Sequence, residues 1–190
     1  MIKRRTLPLN FFDFFIVLLV GLLAVTVLKK EESEEAKIDP KAEFIIDVMW
    51  PDMAKSDIDL WFLAPTGQKV YFLSKQNGLY SLDRDDLGES NDAVVQPDGT
   101  RSVVRINREM LTMRGWVAST YVVNLHVYSW KDTAPIEATV RMLRLNPYKI
   151  VFERQVTLEM KGQEITVASV SLDKDGNVTR IDYSPVELTR

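Results

Sequence analysis

One acidic side chain lies inside the longest apolar run of the sequence. Residues 7–28 read LPLNFFDFFIVLLVGLLAVTVL, and Asp13 is the only charged residue among them. A helix of these 22 residues would extend about 33 Å, enough to cross the hydrocarbon core of a bilayer. A carboxylate at mid-membrane costs on the order of 2.5–3.5 kcal/mol, so an acid in such a run indicates a function, with proton or sodium transfer as the leading option.

Three further residues share a helical face with Asp13. Asn10 precedes it by three positions, Val17 follows it by four and Gly21 by eight. These spacings place the side chains on one side of a helix, and a glycine there allows a second helix to approach closely. The sequence therefore predicts Asp13 as an ion carrier with Asn10 as its polar neighbour. Val17 and Gly21 would pack against a neighbouring helix.

Composition predicts four successive segments along the chain. Residues 1–6 would form a cytoplasmic tail, residues 7–28 a transmembrane helix, residues 29–42 a highly charged linker, and residues 43–190 a globular domain. The apolar run is longer than the core of a signal peptide and lacks a cleavage site, which favours a retained anchor. Basic residues before the run favour a cytoplasmic start. We therefore expect a single-pass protein of the bacterial inner membrane with a periplasmic C-terminal domain.

Alternating side chains after position 43 indicate β-strands. In the stretch 121–128, apolar residues occupy every second position, which is typical of a half-buried strand. The stretches 58–63 and 69–73 flank a Pro-Thr-Gly turn signal and read as a hairpin. Roughly nine or ten short strands in succession predict an all-β domain, an antiparallel β-sandwich or jelly-roll-like fold.

Two acidic segments of this domain are dense in potential oxygen ligands. The first contains Asp57 and Asp59, and the second contains Asp83, Asp85 and Asp86. Calcium binds six to eight oxygens, so these residues form a candidate calcium site. Their spacing does not match an EF-hand. The alternative is a pair of solvated turns in which the aspartates bond the local backbone.

Composition also excludes several function classes. The absence of cysteine and the presence of one histidine exclude disulfides, thiolate chemistry and a multi-histidine metal site. A net charge of −3 without a basic face argues against nucleic acid as a partner. The sequence contains no phosphate loop, nucleophile elbow or Ser/His/Asp order, so we do not expect an enzyme.

The segment NFFDFFIVLL, which begins at Asn10, resembles the N-terminal helix of the ExbD/TolR/MotB family. In that family a short cytoplasmic tail leads into one membrane helix that carries an aspartate a few residues inside it. The family usually has proline where this chain has Asn10. The resemblance covers residues 7–28, and the domain from residue 43 onward lacks the helices of the family's exported domains.

The resemblance implies the ion-carrying subunit of a proton-driven rotary motor. Two copies of the chain would form a homodimer inside a pentameric ring of ExbB/TolQ/MotA-like channel subunits. Asp13 would carry the proton, or alternatively sodium, and the exported domain would transmit force or bind a cell-envelope ligand. The alternative is a β-sandwich binding or assembly module for which the helix is only an anchor.

Overall fold

The computed structural model describes residues 11–31 and 41–189. The chain divides into two units, residues 1–39 and residues 40–190. In the first unit, helix α1 covers Phe11–Glu31. Asp13 lies in its first turn, and Val17 and Gly21 lie further along it. Asn10 lies outside the described residues, and the roles assigned to these four positions stay predictions.

The expected membrane anchor is not supported by helix α1. Among the described residues, no helix is both long enough and apolar enough to cross a membrane. The described helix α1 covers Phe11–Glu31, and its sequence ends in Lys29, Lys30 and Glu31. The prediction of a single-pass inner-membrane protein with a periplasmic domain is contradicted by this finding, and we correct it.

The second unit is built from β-strands connected by short turns. Within residues 41–189 the strands are β1 (Phe44–Met49), β2 (Asp57–Leu63), β3 (Lys69–Val70), β4 (Gln76–Asn77), β5 (Tyr80–Arg84), β6 (Ala93–Val95), β7 (Arg101–Val103), β8 (Arg108–Met113), β9 (Ser119–Ser129), β10 (Ile136–Leu145), β11 (Tyr148–Leu158), β12 (Glu164–Leu172) and β13 (Val178–Asp182). A short 3-10 turn, Gly88–Ser90, lies between β5 and β6.

These strands form two antiparallel sheets in an open, sandwich-like arrangement. The six-stranded sheet has the order β11-β10-β1-β8-β5-β4, and the five-stranded sheet has the order β13-β12-β9-β2-β3. The strands β6 and β7 pair with each other as a separate hairpin. The prediction of a largely antiparallel β fold is therefore confirmed.

The core lies between the two sheets. In β2, the side chains of Ile58, Leu60 and Phe62 are fully buried in it. The ring of Phe62 lies 5.2 Å from that of Tyr80 in the opposite sheet, centroid to centroid. Because side chains alternate along a strand, this arrangement turns the intervening positions of β2 away from the core. Trp61 accordingly belongs to a second, smaller apolar cluster.

Candidate functional site

Three carboxylates from separate segments meet beside β2. Asp59 belongs to β2, Asp85 follows β5, and Glu109 belongs to β8. One oxygen from each carboxylate lies within 4.8 Å of the other two. Asp59 and Glu109 are buried, and Asp85 is partly buried. Carboxylate oxygens at this separation can hold a metal ion between them.

Glu109 reaches this position because of strand alternation in β8. Leu111 and Met113 are core residues, so the side chain two positions before Leu111 also points inward. Glu109 is 0% exposed. Its Oε2 accepts a hydrogen bond of 2.6 Å from the Leu60 backbone N–H. The carboxylate of a strand in one sheet thus contacts the backbone of a strand in the other.

An interrupted strand edge leaves space for this contact. The short strand β3 pairs with β2 only at Phe62 and Leu63. The Leu60 N–H lies before that pairing and donates to Glu109 instead. A buried N–H needs an acceptor, so the Glu109 carboxylate takes the place that a longer β3 would have filled.

The segment after β5 supplies the remaining acids. A register shift between Leu82 and Arg84 interrupts the pairing of β5 with β8 just before Asp85. Asp85 Oδ2 lies 2.8 Å from the Lys75 ammonium group, whereas its Oδ1 is buried without a hydrogen-bond partner among the described residues. Asp86 Oδ1 accepts the Gly88 N–H at 3.0 Å. Asp85 therefore offers a free oxygen, while Asp86 shapes the turn.

Gly88 brings this turn against the segment that precedes β2. Its φ is +59°, and a Cβ built on it would lie 2.5 Å from the Lys55 carbonyl oxygen. Only glycine fits a positive φ together with so close an approach of two backbones. The Lys131 ammonium group pairs with Glu89 at 3.2 Å on the adjacent position of the same turn. This packing places Asp85 beside β2.

Asp57 and His126 border the group of three carboxylates. Asp57 is 6% exposed, and its Oδ1 has no hydrogen-bond partner among the described residues. His126 Nδ1 lies 3.5 Å from Asp59 Oδ2. Asp57 thus adds a second buried oxygen that no described group satisfies, and His126 adds a nitrogen.

Burial raises the pKa values of these acids. The pKa of Glu109 lies well above its ordinary value, chiefly because burial penalises its charged form. Burial, followed by repulsion from the neighbouring aspartates, raises the pKa of Asp57 to about 7. Burial also raises the pKa of Asp59, against the opposing effect of His126. Such a cluster either takes up protons or binds a cation.

Of the five predicted ligands, only Asp59 and Asp85 belong to the group of three carboxylates, and Asp83 lies apart from it. Asp83 is the residue at the register shift of β5. Its carboxylate accepts a hydrogen bond of 2.6 Å from Ser81 Oγ and lies 3.9 Å from the Arg114 guanidinium. It is not a member of the acidic group that includes Asp85. A bulge redirects side chains, which explains why neighbours in sequence have different environments.

The sequence prediction did not include Glu109. Side-chain alternation along β8 could have identified it, because Glu109 is spaced by two positions from Leu111, which is spaced by two from Met113. A charged residue in phase with core residues must find partners in the interior. In the structure its partners are the backbone N–H groups of Leu60, at 2.6 Å, and of Asp86, at 3.4 Å.

Comparisons of the chain with protein-family models, curated proteins and solved structures found no match. The resemblance of residues 7–28 to the ExbD/TolR/MotB family therefore stays a prediction.

Proposed function

We propose that the protein is a calcium-binding β-sandwich that serves as a binding or assembly module. The ion is held by Asp59, Asp85 and Glu109. One observation carries the proposal: carboxylates from three separate segments place oxygens within 4.8 Å of one another at a site that is largely buried. The sequence carries no catalytic motif, which favours a binding role over an enzymatic one.

The charge balance at this site favours a bound cation. Lys75 pairs with Asp85 and Arg84 pairs with Asp86, at 2.8 and 3.1 Å. Within residues 41–189, no such ion pair is found for Asp57 or Glu109, and both are buried. The charge of Lys131 acts on Asp57 but is the smallest of the effects on its pKa. Buried carboxylates without a counter-charge are costly in their ionised form. A divalent cation would supply the missing positive charge near neutral pH.

The types of ligand favour calcium over other divalent ions. Asp59, Asp85 and Glu109 offer only oxygens, which are the ligands that calcium prefers. Calcium accepts irregular geometry, whereas magnesium needs a near-ideal octahedron and tends to keep its waters. Zinc prefers cysteine and histidine, and the chain has no cysteine. Only His126 could add a nitrogen here.

A bound ion would connect the two sheets at the interrupted edge of β2. Asp59 belongs to the five-stranded sheet and Glu109 to the six-stranded sheet, and Asp85 lies at the start of the turn between β5 and β6. An ion that binds all three would restrain these segments together. Because the ligands converge only in the folded chain, ion binding would add to folding stability.

Thermal unfolding of the full chain tests this proposal. We expect calcium to raise the Tm relative to a chelator, with a stabilisation of about 2.7 kcal/mol when calcium is at about 100 times its Kd. Magnesium should give a smaller shift. Glu109→Gln should remove most of the calcium response, whereas Glu137→Gln, an exposed position on β10, should retain it. An unchanged Tm with calcium, magnesium, manganese and zinc would refute the proposal.

The rotary-motor hypothesis stays a prediction that no observation tests. It requires a membrane span, and the described residues contain no helix suited to one. The ion-carrying role of Asp13, the homodimer and the channel partner remain part of that hypothesis.

A further inference from the structure

Residues 184–189, which we call the strap, lie on the outer face of the five-stranded sheet without forming a strand. Leu188 is 2% exposed and belongs to the smaller apolar cluster, together with Trp61 and Val122. Val186 is partly buried against the same cluster. The strap therefore completes an apolar cluster that lies outside the main core.

Side chains of the sheet bind the backbone of the strap around Leu188. The Glu164 carboxylate accepts hydrogen bonds from the Leu188 N–H at 2.7 Å and the Thr189 N–H at 3.3 Å. It also accepts the Thr189 hydroxyl at 2.6 Å. The Lys69 ammonium group donates to the Leu188 carbonyl oxygen. One acid and one base thus hold the backbone on both sides of the buried leucine.

A second pair of side chains binds the backbone at Val186. Asn124 Nδ2 and Thr166 Oγ1 donate to the Val186 carbonyl oxygen at 2.6 and 3.1 Å. Thr166 Oγ1 also accepts the Val186 N–H at 2.8 Å. The described strand pairings of this sheet end at β13 and do not include the strap. Release of the strap would therefore break contacts with side chains and leave the strand pairing intact.

A short exposed connection joins the strap to β13. Tyr183, Ser184 and Pro185 are exposed, and the Ser184 N–H donates to Asp182 Oδ1 at 2.8 Å. Pro185 has no N–H that a movement of the chain could deprive of its acceptor. Rotation at this connection would lift residues 186–189 together from the sheet.

The closed strap also leaves one buried acceptor without a partner. Asn124 is 0% exposed, and its Oδ1 has no hydrogen-bond partner among the described residues. An unsatisfied buried oxygen costs free energy. The Asn124 amide lies directly against the Val186 carbonyl group, so lifting the strap would let water reach it. This relief favours a local opening at a lower free energy than global unfolding.

We propose that the strap opens and closes over the apolar cluster while both sheets stay folded, and that Glu164 is the side chain that keeps it closed. Opening would transiently expose Trp61, which is only 8% exposed in the closed arrangement. The device operates within one chain, and it does not depend on the calcium site.

Native-state hydrogen exchange of the full chain, resolved by NMR, tests the proposal. The amides of Val186, Leu188 and Thr189 are bonded to side chains, so each is protected until the strap opens. We expect them to exchange at one common opening free energy and at least about tenfold faster than the amides of β9, the central strand of the sheet. Low urea concentrations should change their exchange little, because local opening exposes little surface.

Glu164→Gln tests the side chain that holds the strap. A carboxylate makes stronger hydrogen bonds than an amide, so this variant should speed exchange of the three amides about tenfold and leave β9 unchanged. Glu137→Gln, an exposed position on β10, is the matched control and should change neither. Thr189→Val removes only the hydroxyl bond to Glu164, and its exposed position leaves folding intact. It should speed exchange severalfold.

Exchange of these amides only at the rate of β9 would overturn the proposal, because the strap would then open only when the whole domain unfolds. Exchange at the rate of an unstructured peptide would overturn it as well, since the strap would not be closed. Equal effects of Glu164→Gln and Glu137→Gln, with no effect of Thr189→Val, would show that Glu164 does not hold the strap.

Discussion

Glu109 Oε2 accepts the backbone N–H of Leu60 at 2.6 Å, although the two residues belong to different sheets. Hydrogen bonds within a sheet usually satisfy such an N–H. Here the short pairing of β3 leaves it open, and a buried carboxylate fills the gap. The same carboxylate is a member of the acidic group with Asp59 and Asp85. One side chain therefore contributes both to the fold and to the proposed calcium site.

Replacing Glu109 should separate these two contributions. Glu109→Gln keeps an acceptor for Leu60, and because the pKa of Glu109 is raised by burial, it resembles the protonated acid. We expect it to leave stability in chelator nearly unchanged. Glu109→Ala removes the acceptor and should cost about 1–3 kcal/mol. Urea denaturation measures both values, and equal losses for the two variants would contradict this role.

Asp85 and Asp83 provide a matched pair of variants, test and control, for measuring calcium binding. Asp85 belongs to the acidic group, whereas Asp83 binds Ser81 and lies near Arg114. Both replacements, Asp85→Asn and Asp83→Asn, remove one charge from the same short segment. Isothermal titration should show calcium affinity reduced at least about tenfold by the first and little changed by the second, since a tenfold loss corresponds to about 1.4 kcal/mol.

An equal effect of Asp85→Asn and Asp83→Asn would indicate that only the overall negative charge of the segment matters. The arrangement of Asp59, Asp85 and Glu109 as specific ligands would then be wrong.

Asp57 should make stability depend on pH in the absence of calcium. Its pKa in the folded chain is about 7, above the ordinary value of 3.8, because of burial and neighbouring aspartates. The folded state therefore holds this proton more tightly than the unfolded state does. The stability that Asp57 contributes is fully present below about pH 4 and is lost as pH rises to about 7.

Asp57→Asn should remove this part of the pH dependence. The free energy of unfolding, measured in chelator at a series of pH values, should favour the variant increasingly between about pH 4 and pH 7. The other acids of the site are present in both proteins, so the difference between the two profiles reports Asp57 together with its repulsion of those acids. Parallel pH profiles for the two proteins would show that the folded state does not raise its pKa.

Gly88 and Gly78 allow the close packing of the β5–β6 turn to be tested. Their φ angles are similar, +59° and +56°, but a Cβ at Gly88 would lie 2.5 Å from the Lys55 carbonyl oxygen, whereas Gly78 has open space. Gly78→Ala should lower the free energy of unfolding by about 1 kcal/mol because of the positive φ alone. Gly88→Ala should lower it by more, because the close contact adds strain of about 1–3 kcal/mol. Thermal unfolding measures the difference.

If Gly88→Ala and Gly78→Ala lower the Tm equally, the turn is free to move away from the segment before β2. Asp85 would then lack the fixed position that the calcium proposal needs.

Local alternation was sufficient to predict many of the strands. The predicted strand at 121–128 lies within β9, Ser119–Ser129. The predicted strand at 69–73 ends early, at Val70, because Tyr71 and Ser74 bridge across a turn. The alternative interpretation of the second acidic segment as a solvated turn is typical of its composition, yet β5 continues to Arg84. Pairing with β8 overrides the weak strand preference of Asp83.

The sequence by itself determined the antiparallel β character and placed Asp57, Asp59, Asp83, Asp85 and Asp86 among the candidate ligands, because strand period and acidic turns are local properties. Only the tertiary structure decided that Glu109 joins Asp59 and Asp85 while Asp83 does not. Glu109 and Leu60 are 49 positions apart, and their contact depends on how two sheets pack and where β3 ends. No local pattern encodes a distance set by packing between separate sheets.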